Sequence, residues 1–377
     1  MSTLSQRLPA AVQTSLAGIR DRAAAYAGPV VDLSIGAPID PTPEVVRRAL
    51  AAEADSPGYP LTVGRADLRR SVVAWLGRAH GVGGLHDRQV LPVIGTKELI
   101  GSLALHLGRG PDDVIAHPRL AYPTYAVGAA LVGAMAVEAD DVADLEALAA
   151  ADRTPSLVWV NSPSNPTGAV LDASALHAMV TWCRENDALL VSDECYLDLG
   201  WEASPVSVLA HDICGGTHDG LLAVHSLSKR SNLAGYRCGF VTGDQRLVTE
   251  LASVRRNLGL QLPGPQQGAA IAALGDDAHV VEQRARYAAR RDVLRPALEA
   301  AGFRVDHSEA GLYLWATREE PAERTVAVLA DHGIVAVPGT EYGLHGAAHV
   351  RFALTAPDAD VALAAQRLPT LPDKALR

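Results

Sequence analysis

The chain has 377 residues, 48% of them hydrophobic and 20% charged, with a formal net charge of −10. That is enough apolar chain for two packed bodies, and the acidic balance excludes a general binder of nucleic-acid backbones. The four cysteines, Cys183, Cys195, Cys214 and Cys238, form no C-x-x-C pair and no Cys/His metal spacing, so neither a disulfide frame nor a metal site is expected.

The N-terminal stretch MSTLSQRLPAAVQTSLAGIRDRA has no uninterrupted apolar core of a signal peptide and no lipidation signal. No segment reads as a membrane span, so a cytoplasmic protein is expected. From about residue 41, short apolar runs alternate with helical periodicity, the pattern of a doubly wound, mostly parallel sheet covered by helices. The expected strands are VLPVI (90–94), DVIAHP, SLVWVNSP, ALLVSDECY and LLAVHSLSK. Each is apolar almost throughout, as strands buried on both faces must be. TKELIGSLALHLG reads as a helix directly after the first strand, and Asp172 as the N-cap of a helix in DASALHAMVTWCREND. After about residue 255 the texture changes to a long charged helix stopping at Gly302. GLYLWAT, a helix in AERTVAVLADHG, the short strands GIVAVP and HVRFAL, and a last helix follow. The expected α/β architecture is a large domain over residues 41–255 and a smaller α+β domain combining 1–40 with 256–377.

In doubly wound sheets, ligands bind beyond the carboxyl ends of the strands. Gly95, Thr96 and Lys97 fall between an expected strand and helix, where backbone N–H groups suit a phosphate. A plain turn with Thr96 as N-cap is the simpler reading of those three alone. Asn165, in NSPSNPTG, can donate to an oxygen on a ring or carboxylate, or serve only its Asn-Pro turn. Asp193 ends an expected strand, with Tyr196 three residues on. A buried carboxylate there needs a partner such as a protonated ring nitrogen, unless it caps the next segment. Lys229 follows another strand; its amine can form a Schiff base with an aldehyde, although most lysines are simply solvated. Ser226, Ser228 and Arg237 surround it with phosphate-binding groups. Together these residues describe one ligand with an aldehyde, a basic ring nitrogen, a ring hydroxyl and a phosphate, which is pyridoxal 5′-phosphate.

The order GYP, GTKE, AYPTY, NPTG, SDECY, SLSKRSNLAGYRCG, VRFAL resembles the class I and II aminotransferases of the fold-type I pyridoxal-phosphate superfamily. The likeness runs from DLSIGAPIDPTP to Arg351, nearly the whole chain. It implies that Lys229 anchors the cofactor and shuttles a proton, that Asp193 pairs with the ring nitrogen, and that Tyr196 and Asn165 contact the ring oxygen. Tyr122 would stack on the ring. Gly95, the amides of Thr96 and Lys97, Ser226, Ser228 and Arg237 would form the phosphate site. Tyr59 would reach the phosphate of a neighbouring subunit, which implies a homodimer with shared sites. Arg351, with Asn165 and the close backbone approach at Gly36, would bind the substrate carboxylate. By its place in a strand alone, Arg351 would face solvent, and Tyr59 and Tyr122 would be semi-buried core aromatics.

HSLSKRSNLAGYR, with HPRLAYPTY and HSEAGLYLWAT, is most similar to the succinyldiaminopimelate aminotransferases of actinobacteria. That resemblance implies amino transfer between N-succinyl-LL-2,6-diaminopimelate and 2-oxoglutarate in lysine and diaminopimelate synthesis. The same residues serve aminotransferases for aspartate, alanine, aromatic amino acids and LL-diaminopimelate, and related carbon–sulfur lyases. A regulator on this fold needs a DNA-reading head, for which the start of the chain leaves no room. A succinylated substrate needs a second cation; Lys97, Arg119, Arg230 and Arg255 are candidates by closeness to the motifs.

Overall fold

The computed structural model describes residue 8 and residues 16–372. After α1 (Ala17–Ala24), β1 (Val31–Asp32), α2 (Glu44–Ala52) and α3 (Ala66–His80), the chain builds its larger sheet. The strands are β2 (Val90–Val93), β3 (Val114–His117), β4 (Met135–Glu138), β5 (Leu157–Asn161), β6 (Leu189–Asp193), β7 (Leu221–Ser226) and β8 (Gly239–Gly243). They lie in the order β2-β8-β7-β6-β5-β3-β4. β8 is antiparallel to both neighbours and the other pairs are parallel. Between the strands come α4 (Thr96–His106), α5 (Thr124–Val132), α6 (Val142–Ala150), α7 (Ala173–Glu185), α8 (His211–Cys214) and α9 (Leu227–Arg230).

The continuous apolar runs have a simple cause: side chains alternate between two covered faces. Val158, Val160 and Leu190 share one core with Trp75 of α3 and Met179 of α7. Leu157, Trp159 and Val191 share the other with Leu99 of α4 and Tyr125 of α5. The two strands of this sheet that were not expected have weak signals. β4 exposes three of its four residues, and β8 begins and ends in glycine, which reads as a turn. Asp172 caps α7 as expected, accepting the Ala175 N–H at 2.8 Å. Thr96 is not a cap; the N-cap of α4 is Gly95, and Thr96 is its first helical residue.

Beyond β8 come α10 (Gln245–Asn257), α11 (Gly264–Gly275) and the long α12 (Ala278–Ala300). Gly302, at φ +79°, turns the chain after α12. Although α11 lies past residue 255, it packs on α2 and α3 and places Ala269, Ala270 and Ala273 in the core of the larger sheet. The smaller sheet follows, with β9 (Arg304–Asp306), β10 (Tyr313–Thr317), α13 (Ala322–Asp331), β11 (Ile334–Val335), β12 (Val337–Pro338), β13 (His349–Ala353) and α14 (Asp358–Arg367). GIVAVP is split: β11 pairs with β1, while β12 joins an antiparallel sheet ordered β12-β13-β10-β9. Leu294 and Leu298 of α12 cover this sheet against Leu314 and Phe352. Among the described residues, no helix is long and apolar enough to cross a membrane.

An ion-pair cluster around the buried Arg290 ties α12 to the segment before α2. Arg290 donates through Nη2 and Nη1 to Asp40, at 2.6 and 2.9 Å, and through Nε to Asp358 at 2.6 Å. Arg290→Met leaves the Asp40 carboxylate without its ion partner, and removing one member of a buried pair costs about 3 kcal/mol or more. Urea unfolding of the variant checks this; a loss below about 1 kcal/mol would mean that Asp40 finds water instead.

Candidate active site

The carboxyl ends of β5, β6 and β7 open onto a cleft of about 950 Å³, walled opposite by Tyr313, Val337 and Arg351 of the smaller sheet. One end is built for an anion. β2 passes into α4 at Gly95, which has φ +89° and lies so close to Arg237 that a Cβ would strike its guanidinium. Thr96 and Lys97 open α4, so their N–H groups have no acceptor within the helix and are left as helix-terminal donors. Ser226 ends β7 and caps α9, its hydroxyl accepting the Ser228 N–H at 3.1 Å. Both serines and Arg237 line the same cleft. Arg237 is steadied by donating Nη1–H to the Ala234 carbonyl at 2.9 Å.

The opposite end holds a buried carboxylate. Asp193, the last residue of β6, accepts the Tyr125 hydroxyl at 2.7 Å and the Cys195 N–H at 3.1 Å. Burial pushes its carboxyl above the ordinary value despite those bonds and the nearby Lys229. Asn161 braces this corner. Its amide donates to the Asp193 carbonyl at 2.9 Å, and its Oδ1 accepts the Asn165 N–H at 2.8 Å. Lys229, on α9, hydrogen-bonds the carbonyl of Gly36 through its amine. At Gly36 a Cβ would collide with the Tyr313 hydroxyl, so only glycine fits.

Arg351 sits in β13, opposite Trp315 of β10 and Val337 of β12. It is only 6% exposed, because this sheet turns that face to the cleft. Nη1 donates to the Asn165 Oδ1 and Nη2 to the Ser34 carbonyl, both at 2.8 Å. The guanidinium lies 4.0 Å over the Tyr313 ring and 4.9 Å over the Tyr342 ring. Its buried Nε has no partner among the described residues. The Tyr196 and Tyr313 hydroxyls are 3.0 Å apart in a hydrogen bond, and burial pushes the Tyr196 phenol up. Tyr122 lines the cleft, its phenol pushed up to about 12 by burial.

Most of the expected residues therefore meet at one place. Tyr59 does not: it is 98% exposed and lies outside the cleft of its own chain. Of the four expected distal cations, Lys97 alone lines the cleft, 5.8 Å over the Tyr122 ring. Arg119 pairs with Asp140 and Asp144. Arg230 is buried against the Trp75 ring and Asp198. Arg255 is buried and forks onto Glu98 at 2.9 and 2.7 Å. Closeness in sequence misplaced these three: Arg230 and Arg255 stand on helices, where successive side chains point in different directions, and Arg119 turns away from the cleft to its two aspartates. Tyr125, Asn161 and Tyr313 were the contributors not expected; the tyrosines stand in AYPTY and GLYLWAT, already marked as motifs.

An anion cradle that excludes a Cβ, an amine, and a buried carboxyl wanting a counter-charge fit pyridoxal phosphate. Residues 28–368 match the family model for aminotransferase class I and II. The chain is 53% identical to a probable aminotransferase of Mycobacterium tuberculosis, over 97% of this chain and 86% of that one. It is also 53% identical to the 4-dedimethylamino-4-oxo-anhydrotetracycline transaminase of Streptomyces rimosus, over 93% of this chain and 96% of that one. A solved structure of a probable N-succinyldiaminopimelate aminotransferase from Thermus thermophilus superposes with a TM-score of 0.84 at 27% identity, covering 94% of this chain and 98% of that one. The chain belongs to the class I and II aminotransferases, and its activity depends on pyridoxal 5′-phosphate.

Proposed function

We propose that this aminotransferase exchanges an amino group between N-succinyl-LL-2,6-diaminopimelate and 2-oxoglutarate, in the cytoplasm, on the way to diaminopimelate and lysine. The observation that carries the reading is the pair of cations in one cleft. Arg351 is buried beside the site, and Lys97 has no acidic partner among the described residues. Such a cleft suits a substrate with a carboxylate at each end.

The chain's residues divide the work. Ser226, Ser228, Arg237 and the amides of Thr96 and Lys97 would hold the phosphate, with Gly95 leaving room for it. Asp193 would keep a proton on the ring nitrogen. Tyr196 and Asn165 would hold the ring oxygen, and Tyr122 would cover the ring. When bound, the cofactor supplies the electron sink that this chemistry requires. Lys229 Nζ gives up the Gly36 carbonyl, takes the proton from the donor's α-carbon and carries it across. Arg351 forks onto the α-carboxylate beside Gly36 and Asn165. Tyr59, outside its own cleft, reaches the phosphate of a second copy in a two-fold dimer.

Lys97→Met tests the distal contact and leaves the backbone N–H in place. It is expected to lower kcat/KM for N-succinyl-LL-diaminopimelate about tenfold more than for alanine. Equal losses would remove Lys97 from substrate recognition. A second reading has its own observation. One arm of the cleft is walled by Leu16, Ile100, Val127 and Leu131, which suits an apolar body, and one 53% identical relative is named for an anhydrotetracycline. Half-reactions with alanine, aspartate, LL-diaminopimelate and its succinyl derivative, beside a polycyclic ketone acceptor, separate the two readings.

A further inference from the structure

We infer that Glu341 is a specificity residue, whose carboxylate accepts a hydrogen bond from an N–H group on the distal carbon of the substrate side chain. This rests on the reading that the substrate carries a second, amino-acid-like end.

The turn that carries Glu341 is fixed from several sides. It spans Gly339–Tyr342, directly after β12. Gly339 is wedged so tightly against Gly346 and Trp315 that a Cβ would strike both. Thr340 donates its hydroxyl to Glu323 at 2.7 Å. The Tyr342 carbonyl accepts the Ala121 N–H at 2.9 Å, tying the turn to the segment that presents Tyr122. The Tyr342 ring lies on the Arg351 guanidinium. Glu341 is therefore fixed in the wall of the same cleft, next in the chain to the tyrosine that lies on that guanidinium.

Three carboxylates line the cleft: Glu98, Asp193 and Glu341. Glu98 is forked by Arg255, and Asp193 accepts from Tyr125 and Cys195. Glu341 is half-buried, and its carboxylate has no hydrogen bond or ion pair among the described residues. Its charged neighbour is Glu323, of like sign; burial first and Glu323 second push the Glu341 carboxyl up to about 7. Its oxygens open into the cleft, so a ligand donor can reach a carboxylate that no described side chain pairs. The α-amino group is consumed at Lys229 and the α-carboxylate at Arg351, so that donor must lie on the side chain. With Lys97 taking the distal carboxylate, Glu341 completes recognition of a carbon that bears both a carboxylate and an N–H. A free ammonium and an acylated amide share that chemistry.

The test compares single-turnover half-reactions, followed by cofactor absorbance, for LL-diaminopimelate and its N-succinyl derivative against 2-aminopimelate, which lacks the distal nitrogen. The wild-type holoenzyme is expected to prefer the nitrogen-bearing donors about tenfold or more. Glu341→Met is expected to bring both ratios close to one. Glu341→Gln, a neutral acceptor, is expected to retain preference for the amide and lose it for the ammonium. A preference identical in wild type and Glu341→Met overturns the assignment. If the wild type converts none of the three, the diaminopimelate reading fails on its own. Glu341 is then judged on lysine against norleucine, a pair differing only in a distal ammonium; an equal ratio in the two enzymes overturns it there as well.

Discussion

Lys229→Ala is expected to abolish amino transfer, with kcat/KM falling by at least about 10⁴-fold, while the protein still folds and binds pyridoxal phosphate. The size follows from two losses at once: the covalent hold on the aldehyde and the base that moves the α-proton. Folding should survive, because Lys229 sits on a four-residue turn and its amine bonds only the Gly36 carbonyl among the described residues. Cofactor binding should survive because Ser226, Ser228, Arg237 and the α4 N-terminus are separate from the amine. Two measurements check this. Borohydride reduction and mass spectrometry should place the cofactor on the Lys229 peptide of the wild type and on no peptide of the variant. Added methylamine should restore part of the rate, since a free amine can replace a missing base. Retained activity within tenfold would place the anchoring amine elsewhere.

Much of this site was legible before the structure because its parts sit where topology puts ligands. Asp193 and Ser226 are the last residues of β6 and β7, and the strands announced themselves by apolar runs that both faces of a covered sheet require. Gly95 was legible as a turn, but its reason was not, since the clash that excludes a side chain comes from Arg237, far along the chain. Other features depend on contacts that no local pattern carries. Arg351 alternates with apolar neighbours like any solvent-facing residue, and its burial is set by where the smaller sheet docks. Tyr125 reads as a helix residue until its hydroxyl is seen on Asp193, 68 positions away. Arg230 and Arg255 looked available because their neighbours were functional; each proves committed to a carboxylate, Arg230 to Asp198 and Arg255 to Glu98. Glu341 carries no motif at all, and what singles it out is the lack of a partner among the described residues.

Asp193→Asn is expected to lower kcat by 10²- to 10⁴-fold while making the cofactor-free protein more stable, and the opposite signs are what make it informative. The substitution is nearly isosteric. The asparagine oxygen can still accept the Cys195 N–H, and the Tyr125 hydroxyl can rotate to accept from the new amide. The loss is therefore electrostatic: a neutral amide cannot hold a proton on the ring nitrogen, and stabilisation of developing charge by a preorganised group is worth about 10²-fold or more. Stability moves the other way. Burial raises the Asp193 carboxyl above its ordinary 3.8 in the folded protein. A group raised on folding favours the native state below the unfolded value, and that advantage is lost as pH rises through the folded value. Above that range the wild type without cofactor carries an ionised, buried carboxylate that the variant does not. Melting curves of both cofactor-free proteins should thus diverge as pH rises from about 4 to 8, with Asp193→Asn the higher. Bound cofactor should narrow the gap, because the ring nitrogen gives the wild-type carboxylate the counter-charge it lacks. A variant that loses less than tenfold in rate and melts like the wild type at every pH would show that this carboxylate does not face the ring.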